Sequence, residues 1–193
     1  MAAVASPYGF RPVGTLTGPY NAQFRKMKIA SGAASSIFTG DLVKCDATGT
    51  VVLENGTATA LPVGVFMGCE FTNPTTGQKL QSPYWPGGTV AADAYAFVFD
   101  NPFGVFQVQA NGAIAQADLF ENIAIATYAA GDTKFGLSKV VVDAATNATT
   151  NTLPLKIIGF VDGPDSAPGD NFTDILVTYN STAGHAYMRI LGV

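Results

Sequence analysis

From residue 24 onward, apolar and polar positions alternate along short runs with a period of two, the pattern of half-buried β-strands. In residues 24–30 (FRKMKIA), Arg25, Met27 and Ile29 alternate with Phe24, Lys26 and Lys28. Residues 40–45 (GDLVKC) and 50–54 (TVVLE) flank Asp46-Ala47-Thr48-Gly49, a turn-forming tetrad, and predict a hairpin. Residues 62–71 (PVGVFMGCEF) place Val63, Val65, Met67 and Cys69 on one face. Gly64 and Gly68 fall on the other, where a neighbouring backbone can come close. Residues 94–99 (AYAFVF) align Tyr95, Phe97 and Phe99, and VFQVQA, KVVVD, LKIIGFV, DILVTYN and HAYMRIL complete the set of predicted strands. Only residues 114–123 (IAQADLFENI) read as a short helical turn. Many short strands with almost no helix predict an all-β fold, a single β-barrel or sandwich-like domain, and exclude a doubly wound α/β architecture.

Residues 1–23 break this pattern. Pro7, Pro12 and Pro19 and Gly9, Gly14 and Gly18 argue against a regular element, while Tyr8, Phe10 and Tyr20 are too aromatic for a disordered tail. The expectation is an extended N-terminal arm (1–23) on a β-barrel body (24–193). The arm lays its aromatics either on another subunit or back onto its own body.

Composition sharpens the picture. Charged residues are 12% of the 193, against about 25% in an average globular protein. A surface so poor in charge is easily desolvated, as are the cores of protein–protein interfaces. The net charge of −4 opposes general nucleic-acid binding. The charge is also uneven. Residues 1–44 hold Arg11, Arg25, Lys26, Lys28 and Lys44 against Asp41 alone, and no Lys or Arg occurs between Leu80 and Thr133. A basic leading segment on an acidic body fits contact with an acidic surface, or a solvated tail. No secretory signal and no apolar run long enough to cross a membrane is visible.

Residues 81–89 (QSPYWPGGT) hold the only tryptophan. Pro83 and Pro86 fix two backbone angles and Gly87-Gly88 permit a reversal, so Tyr84 and Trp85 sit in a rigid turn. They either cap the core, anchor an interface or stack on a ligand.

Residues that would carry catalysis are sparse. His185, the one histidine, has no nucleophile elbow to serve and reads as part of a solvated or interface strand face with Tyr187 and Arg189. GDTKFGLSK (131–139) spaces Gly131 and Gly136 like a phosphate loop, but Leu137 stands where the lysine is needed and a strand follows. Asp162, Asp165 and Asp170 lack the spacing of a calcium loop. Glu54, Glu70 and Glu121, the only glutamates, occur in no suggestive context. Cys45 and Cys69 form no zinc-ligand pattern and read as reduced thiols or, less simply, a disulfide. No cofactor or metal is expected, and on these residues a small hydrolase or lyase on a β-barrel stays open as a third reading.

Several stretches together resemble tailed-bacteriophage capsid decoration (cement, head-stabilising) proteins. They are SPYGFRPVG, SIFTGDLVKCDATGTV leading to GVFMGCEF, SPYWPGGT, ADLFENIAIA, GLSKVVVDAAT and LPLKIIGFVDGPDSAPGDNFTDILVTYN, in that order across most of the chain. The resemblance implies a structural virion protein, not an enzyme, made in the bacterial host cytoplasm. It would bind the outside of the expanded shell and brace capsomers, with the major capsid protein and its own copies, as a homotrimer, for partners. No nucleic acid or membrane is expected. Under that reading Tyr8, Phe10, Arg11, Tyr20, Arg25, Lys26, Lys28, Tyr84 and Trp85 are the interface candidates. A β-rich carbohydrate-binding or host-adhesion module, stacking Tyr84 and Trp85 on sugar, is the alternative.

Overall fold

The computed structural model describes residues 4–161, 163–164, 166–180 and 185–188. In chain order the strands are β1 (Arg11–Thr15), β2 (Gly18–Pro19), β3 (Arg25–Lys28), β4 (Ile37–Phe38), β5 (Leu42–Cys45), β6 (Val51–Leu53), β7 (Gly64–Thr72), β8 (Lys79–Ser82), β9 (Tyr84–Trp85), β10 (Tyr95–Phe99), β11 (Gly104–Gln109), β12 (Asn122–Ile125), β13 (Val142–Ala148), β14 (Leu155–Phe160) and β15 (Asp174–Tyr179). Two single 3-10 turns, Gln116–Asp118 and Ala186–Met188, are the helical elements among the described residues. The protein is therefore all-β. Its strands form a seven-stranded sheet in the order β13-β12-β14-β15-β11-β1-β2 and a six-stranded sheet in the order β3-β10-β7-β5-β6, with β8 added on β7. A two-stranded ribbon, β4-β9, stands apart. Every ladder is antiparallel; parallel contact is limited to single bridges such as Ile29–Val51 and Ala110–Val142.

The central strands β5, β7 and β10 of the six-stranded sheet are buried on both faces, which explains their near-continuous apolar runs, while β3 and β8 are mostly exposed. Leu42, Val65 and Phe99 enter a first core shared with Phe106, Val108, Ile157, Ile175 and Val177 of the larger sheet. Their neighbours Val43, Phe66 and Val98 point the other way, into a second core with Ile29, Ile37 and Trp85. Successive strand residues face opposite sides, so the two cores lie on opposite faces of these central strands.

Local chemistry fixes the joints. At the β5–β6 hairpin, Asp46 Oδ1 accepts the backbone N–H groups of Thr48 and Thr50, each at 3.0 Å, and Gly49 takes φ +75°. On β7, a Cβ at Gly64 would lie 2.4 Å from the Phe99 carbonyl oxygen, so only glycine lets β10 approach. Gly68, at φ +133°, carries a bulge: Phe66 pairs with Val98 but Cys69 with Ala96. The extra residue reverses the alternation. Val65 and Met67 face the first core while Cys69 joins Phe71 in the second, so the single face expected for Val63, Val65, Met67 and Cys69 does not exist.

Other expectations change as well. Residues 1–23 are not free of regular structure: β1 pairs with β11 and, through a Thr15–Gly18 reversal, with β2. The β1 ladder absorbs Pro12 and Val13 by shifting register between Pro12 and Gly14. Residues 114–123 form one 3-10 turn closed by Asp118, whose Oδ2 accepts the Ala115 N–H at 2.8 Å, and then become β12. The strand expected from KVVVD starts only at Val142, because the Ser138 N–H donates to the Thr39 carbonyl and the Val140 N–H to Ser138 Oγ, which holds the chain in a loop. HAYMRIL is not a strand where it is described: Ala186–Met188 is a 3-10 turn, and Arg189 lies outside the described residues. No helix among the described residues is long and apolar enough to cross a membrane.

Candidate functional site

The N-terminal segment is clamped to its own larger sheet. The Ser6 N–H donates to Gln109 Oε1 at 2.9 Å, Gln109 Nε2 donates to the Val4 carbonyl at 3.3 Å, and the Tyr8 hydroxyl donates to Asp174 Oδ1 at 2.9 Å. Burial first, and the Asp174 carboxylate second, push the Tyr8 hydroxyl well above its usual range. The Arg11 guanidinium stacks 4.7 Å from the Tyr8 ring centre. Gly9, at φ +74°, lets the chain dive inward, since a Cβ there would meet Ser138 Cβ at 2.5 Å. Phe10 follows it into the first core, 1% exposed and edge-on to Phe106. Tyr20 leans on Phe99 with ring centres 5.5 Å apart. Of the two placements open for the aromatic arm, the structure has the one on its own body. Phe10 is consequently not available to a partner.

The basic residues of β3 are largely spoken for. Arg25 pairs with Asp100, and Lys26 with Glu70, which also takes Lys79 at 3.3 Å. The Lys26 hydrogen bond leads in holding the Glu70 carboxyl below its usual range. Lys26 also lies 4.5 Å over the Tyr95 ring. Lys28 has no ion-pair partner among the described residues.

Tyr84 and Trp85 part company. Trp85 pairs with Ile37 and is fully buried in the second core, edge-on to Phe71, its indole N–H directed to the Ala33 carbonyl at 3.4 Å. Gly87 is required beside it, because a Cβ would sit 2.2 Å from the Ala34 carbonyl oxygen. Trp85 is therefore a core cap and neither an interface anchor nor a sugar platform. Tyr84 pairs with Phe38 on the opposite side of the ribbon, stacked at 5.4 Å and 10°, and is only half-buried. It lines a cleft of about 490 Å³ with Phe71, Asn73, Leu80, Gln81 and Pro83. An adjoining hollow of about 240 Å³ shares Gln81, Ser82 and Pro83 with it and adds Met67 and Phe97.

His185 is not on a solvated face. It is 1% exposed, packed between Tyr179 at 4.6 Å and Tyr187 at 5.0 Å, and its Nδ1 accepts the Tyr187 N–H at 3.2 Å. Burial pushes its pKa down to about 4, so it is neutral at pH 7. The Tyr187 hydroxyl donates instead to Asp100, at 2.7 Å. The 131–136 loop closes on itself, Gly136 N–H to the Asp132 carbonyl at 2.7 Å, and leads into no helix. Glu54 is occupied by Lys44 and the N–H groups of Gly56 and Leu61, and Glu121 by Asn147. Cys45 and Cys69 are free thiols, and burial raises Cys69 to about 12. No cluster of three or more potential metal ligands occurs among the described residues, and Asp162 and Asp165 lie outside them.

The interface candidates thus do not form one patch. Reading the sequence also missed a set of exposed apolar side chains. Phe103, Phe120 and Phe135 are 45%, 64% and 62% exposed, and Leu16, at 55%, is tied by its N–H to the Phe103 carbonyl. Phe120 adopts φ +70°, uncommon for a bulky residue. It is pinned there by its N–H to the Ile157 carbonyl and by Lys156 Nζ on its own carbonyl. The available signal was the setting of these rings: NPFG, DLFEN and TKFG put an aromatic inside turn-forming residues, off any strand period.

No family model, no curated protein and no solved structure matches the chain.

Proposed function

We propose that the chain is a structural virion protein that binds the outside of the expanded phage capsid and stabilises it by bridging capsomers, as a homotrimer held to the major capsid protein. The observation that carries this reading is the display of Phe103, Phe120 and Phe135 on turns of a body whose two cores are already complete. Large apolar side chains that the fold does not need, on a surface with few charges, are the raw material of interface hot spots. Several separate anchors also suit a bridging role, because each contact after the first becomes intramolecular and gains from effective concentration. In this reading the body is barrel-like, each sheet curling toward itself: the end of β3 meets β6 at Ile29–Val51, and the end of β11 meets β13 at Ala110–Val142. The N-terminal segment is part of that body, and the loop aromatics replace it as the contact elements. The function needs no turnover and no cofactor.

Co-sedimentation with expanded, undecorated capsids, with unexpanded shells as control, tests the proposal. Saturation at a fixed ratio on expanded shells only, weakened in Phe120→Ser and Phe135→Ser, is expected. Absence of binding to either shell refutes it.

A further inference from the structure

Among the described residues no charged side chain lines either the 490 Å³ cleft or the adjoining hollow. What lines them is amide, hydroxyl, proline and aromatic ring, with Leu80 in the cleft and Met67 and Cys69 in the hollow. The cleft falls in the size range of small-ligand sites, roughly 300–1,000 Å³. We propose that these two hollows form one binding site for an uncharged oligosaccharide, laid across Gln81–Pro83 with Tyr84 under one sugar and Phe97 under the next. This is a second activity, separate from attachment through the loop aromatics.

Three features carry the assignment. First, Tyr84 is a preorganised platform. One ring face is backed by Phe38, itself 2% exposed, and the backbone on either side is tied down: the Ser82 hydroxyl donates to the Tyr84 carbonyl at 2.6 Å. A stacked sugar therefore meets a ring that loses little freedom on binding. Second, hydrogen-bonding groups are left over. Asn73 Oδ1 accepts the Thr75 and Thr76 N–H groups, which fixes the amide and leaves Nδ2 as a donor without a partner among the described residues. Gln81, exposed, makes no side-chain hydrogen bond to the described residues. Its amide both donates and accepts, as a sugar hydroxyl does. Third, the two hollows share Gln81, Ser82 and Pro83, so their surface is continuous and suits a chain of units better than one small molecule. A proline-rich peptide is the rival that an aromatic–proline wall admits, but it would leave the Gln81 and Asn73 amides poorly used.

The test is calorimetric titration of the full chain with maltotriose, cellotriose, mannotriose and chitotriose, and with a proline nonapeptide as the rival. One trisaccharide is expected to bind saturably. Tyr84→Leu, which keeps apolar bulk on Phe38, is expected to weaken it about fivefold or more. Gln81→Ala, at an exposed position that holds nothing in the fold, should weaken it by a smaller factor, with Trp85 fluorescence unchanged in both variants. A blank across the trisaccharides, binding indifferent to both substitutions, or tighter binding of the nonapeptide overturns the assignment. Capsid co-sedimentation of the same variants separates the two readings. Unchanged shell binding is expected; its loss in Gln81→Ala would put the cleft against the shell and overturn the sugar site, whereas failure of the wild type to bind shells refutes decoration alone.

Discussion

Phe10 decides whether the N-terminal segment is an appendage or part of the body. It is 1% exposed, meets Phe106 edge-on with centroids 6.2 Å apart, and donates its N–H to the Gly40 carbonyl at 2.8 Å. Truncating a buried Phe to Ala costs about 3–5 kcal/mol, from lost transfer energy and the cavity left behind. An edge-to-face ring pair is worth about 0.5–1.5 kcal/mol beyond area burial, so loss of the Phe106 contact favours the upper part of that range. The assay has a convenient geometry. Trp85, the sole tryptophan, lies in the second core, beyond the six-stranded sheet from Phe10. Its fluorescence during urea unfolding therefore reports the distant half of the molecule. If residues 4–19 are integral, Phe10→Ala lowers the stability read at Trp85 by about 3 kcal/mol or more with the transition still cooperative. A shift below about 1 kcal/mol at Trp85 would falsify the argument and restore a separable arm, since unfolding of an appendage would pass unseen there.

Two further perturbations probe the joints. Asp41 is fully buried, with Oδ2 accepting the Phe38 N–H at 2.8 Å and the Tyr128 hydroxyl at 3.4 Å; burial pushes its pKa up to about 6 against hydrogen bonds that lower it. A carboxyl that binds its proton more tightly when folded contributes stability fully present below about pH 4 and lost as pH rises through about 6, a change of about 3 kcal/mol. Asn at this position cannot ionise but keeps an acceptor for Phe38, so Asp41→Asn should gain about 3 kcal/mol relative to wild type between pH 4 and pH 8; a difference flat with pH rules this out. Gly64→Ala drives a methyl against the Phe99 carbonyl and is expected to cost about 1–3 kcal/mol or more in denaturant, while Gly18→Ala, with open space around it, should stay within about 0.5 kcal/mol; equal effects at the two sites would refute the packing argument.

Much of the fold was legible because the strands obey a two-residue period and the turns use turn chemistry. The β5–β6 hairpin and the close approach at Gly64 follow directly from DATG and PVGVF. What misled were features set by tertiary partners. Gly68 looked like a packing glycine, but its positive φ makes a bulge that swaps the faces of everything after it. Proline and glycine in residues 7–19 argued against a strand, yet Phe10 has a pocket to fill, and burying it holds β1 in register beside β11. His185 alternated like a strand residue, but the Ala186 N–H finds the Pro62 carbonyl and the chain turns inward. The exposed rings were hidden for the opposite reason. Pattern reading assigns aromatics to cores, and nothing in a period says that Phe120 or Phe135 has no core left to enter.

The Tyr84–Trp85 pair shows how one short ribbon serves both ends. Because β9 pairs with β4, Trp85 must face the side of Ile37 and Tyr84 the side of Phe38. The first side is the second core; the second is closed over Phe38 by the 131–137 loop, where a Cβ at Gly131 would strike the Phe38 ring at 2.4 Å. That loop leaves Tyr84 half open while fixing what lies behind it, and Gly136 packs on Pro83 to hold the cleft wall. The same loop displays Phe135 outward. Folding energy and surface chemistry are thus assigned to adjacent residues by strand alternation. Substitution at Trp85 should change stability with any binding loss following from unfolding. Substitution at Tyr84 that preserves the contact with Phe38 should change binding alone. A rigid cap at Trp85 is what allows Tyr84, one residue away, to be held still at the surface.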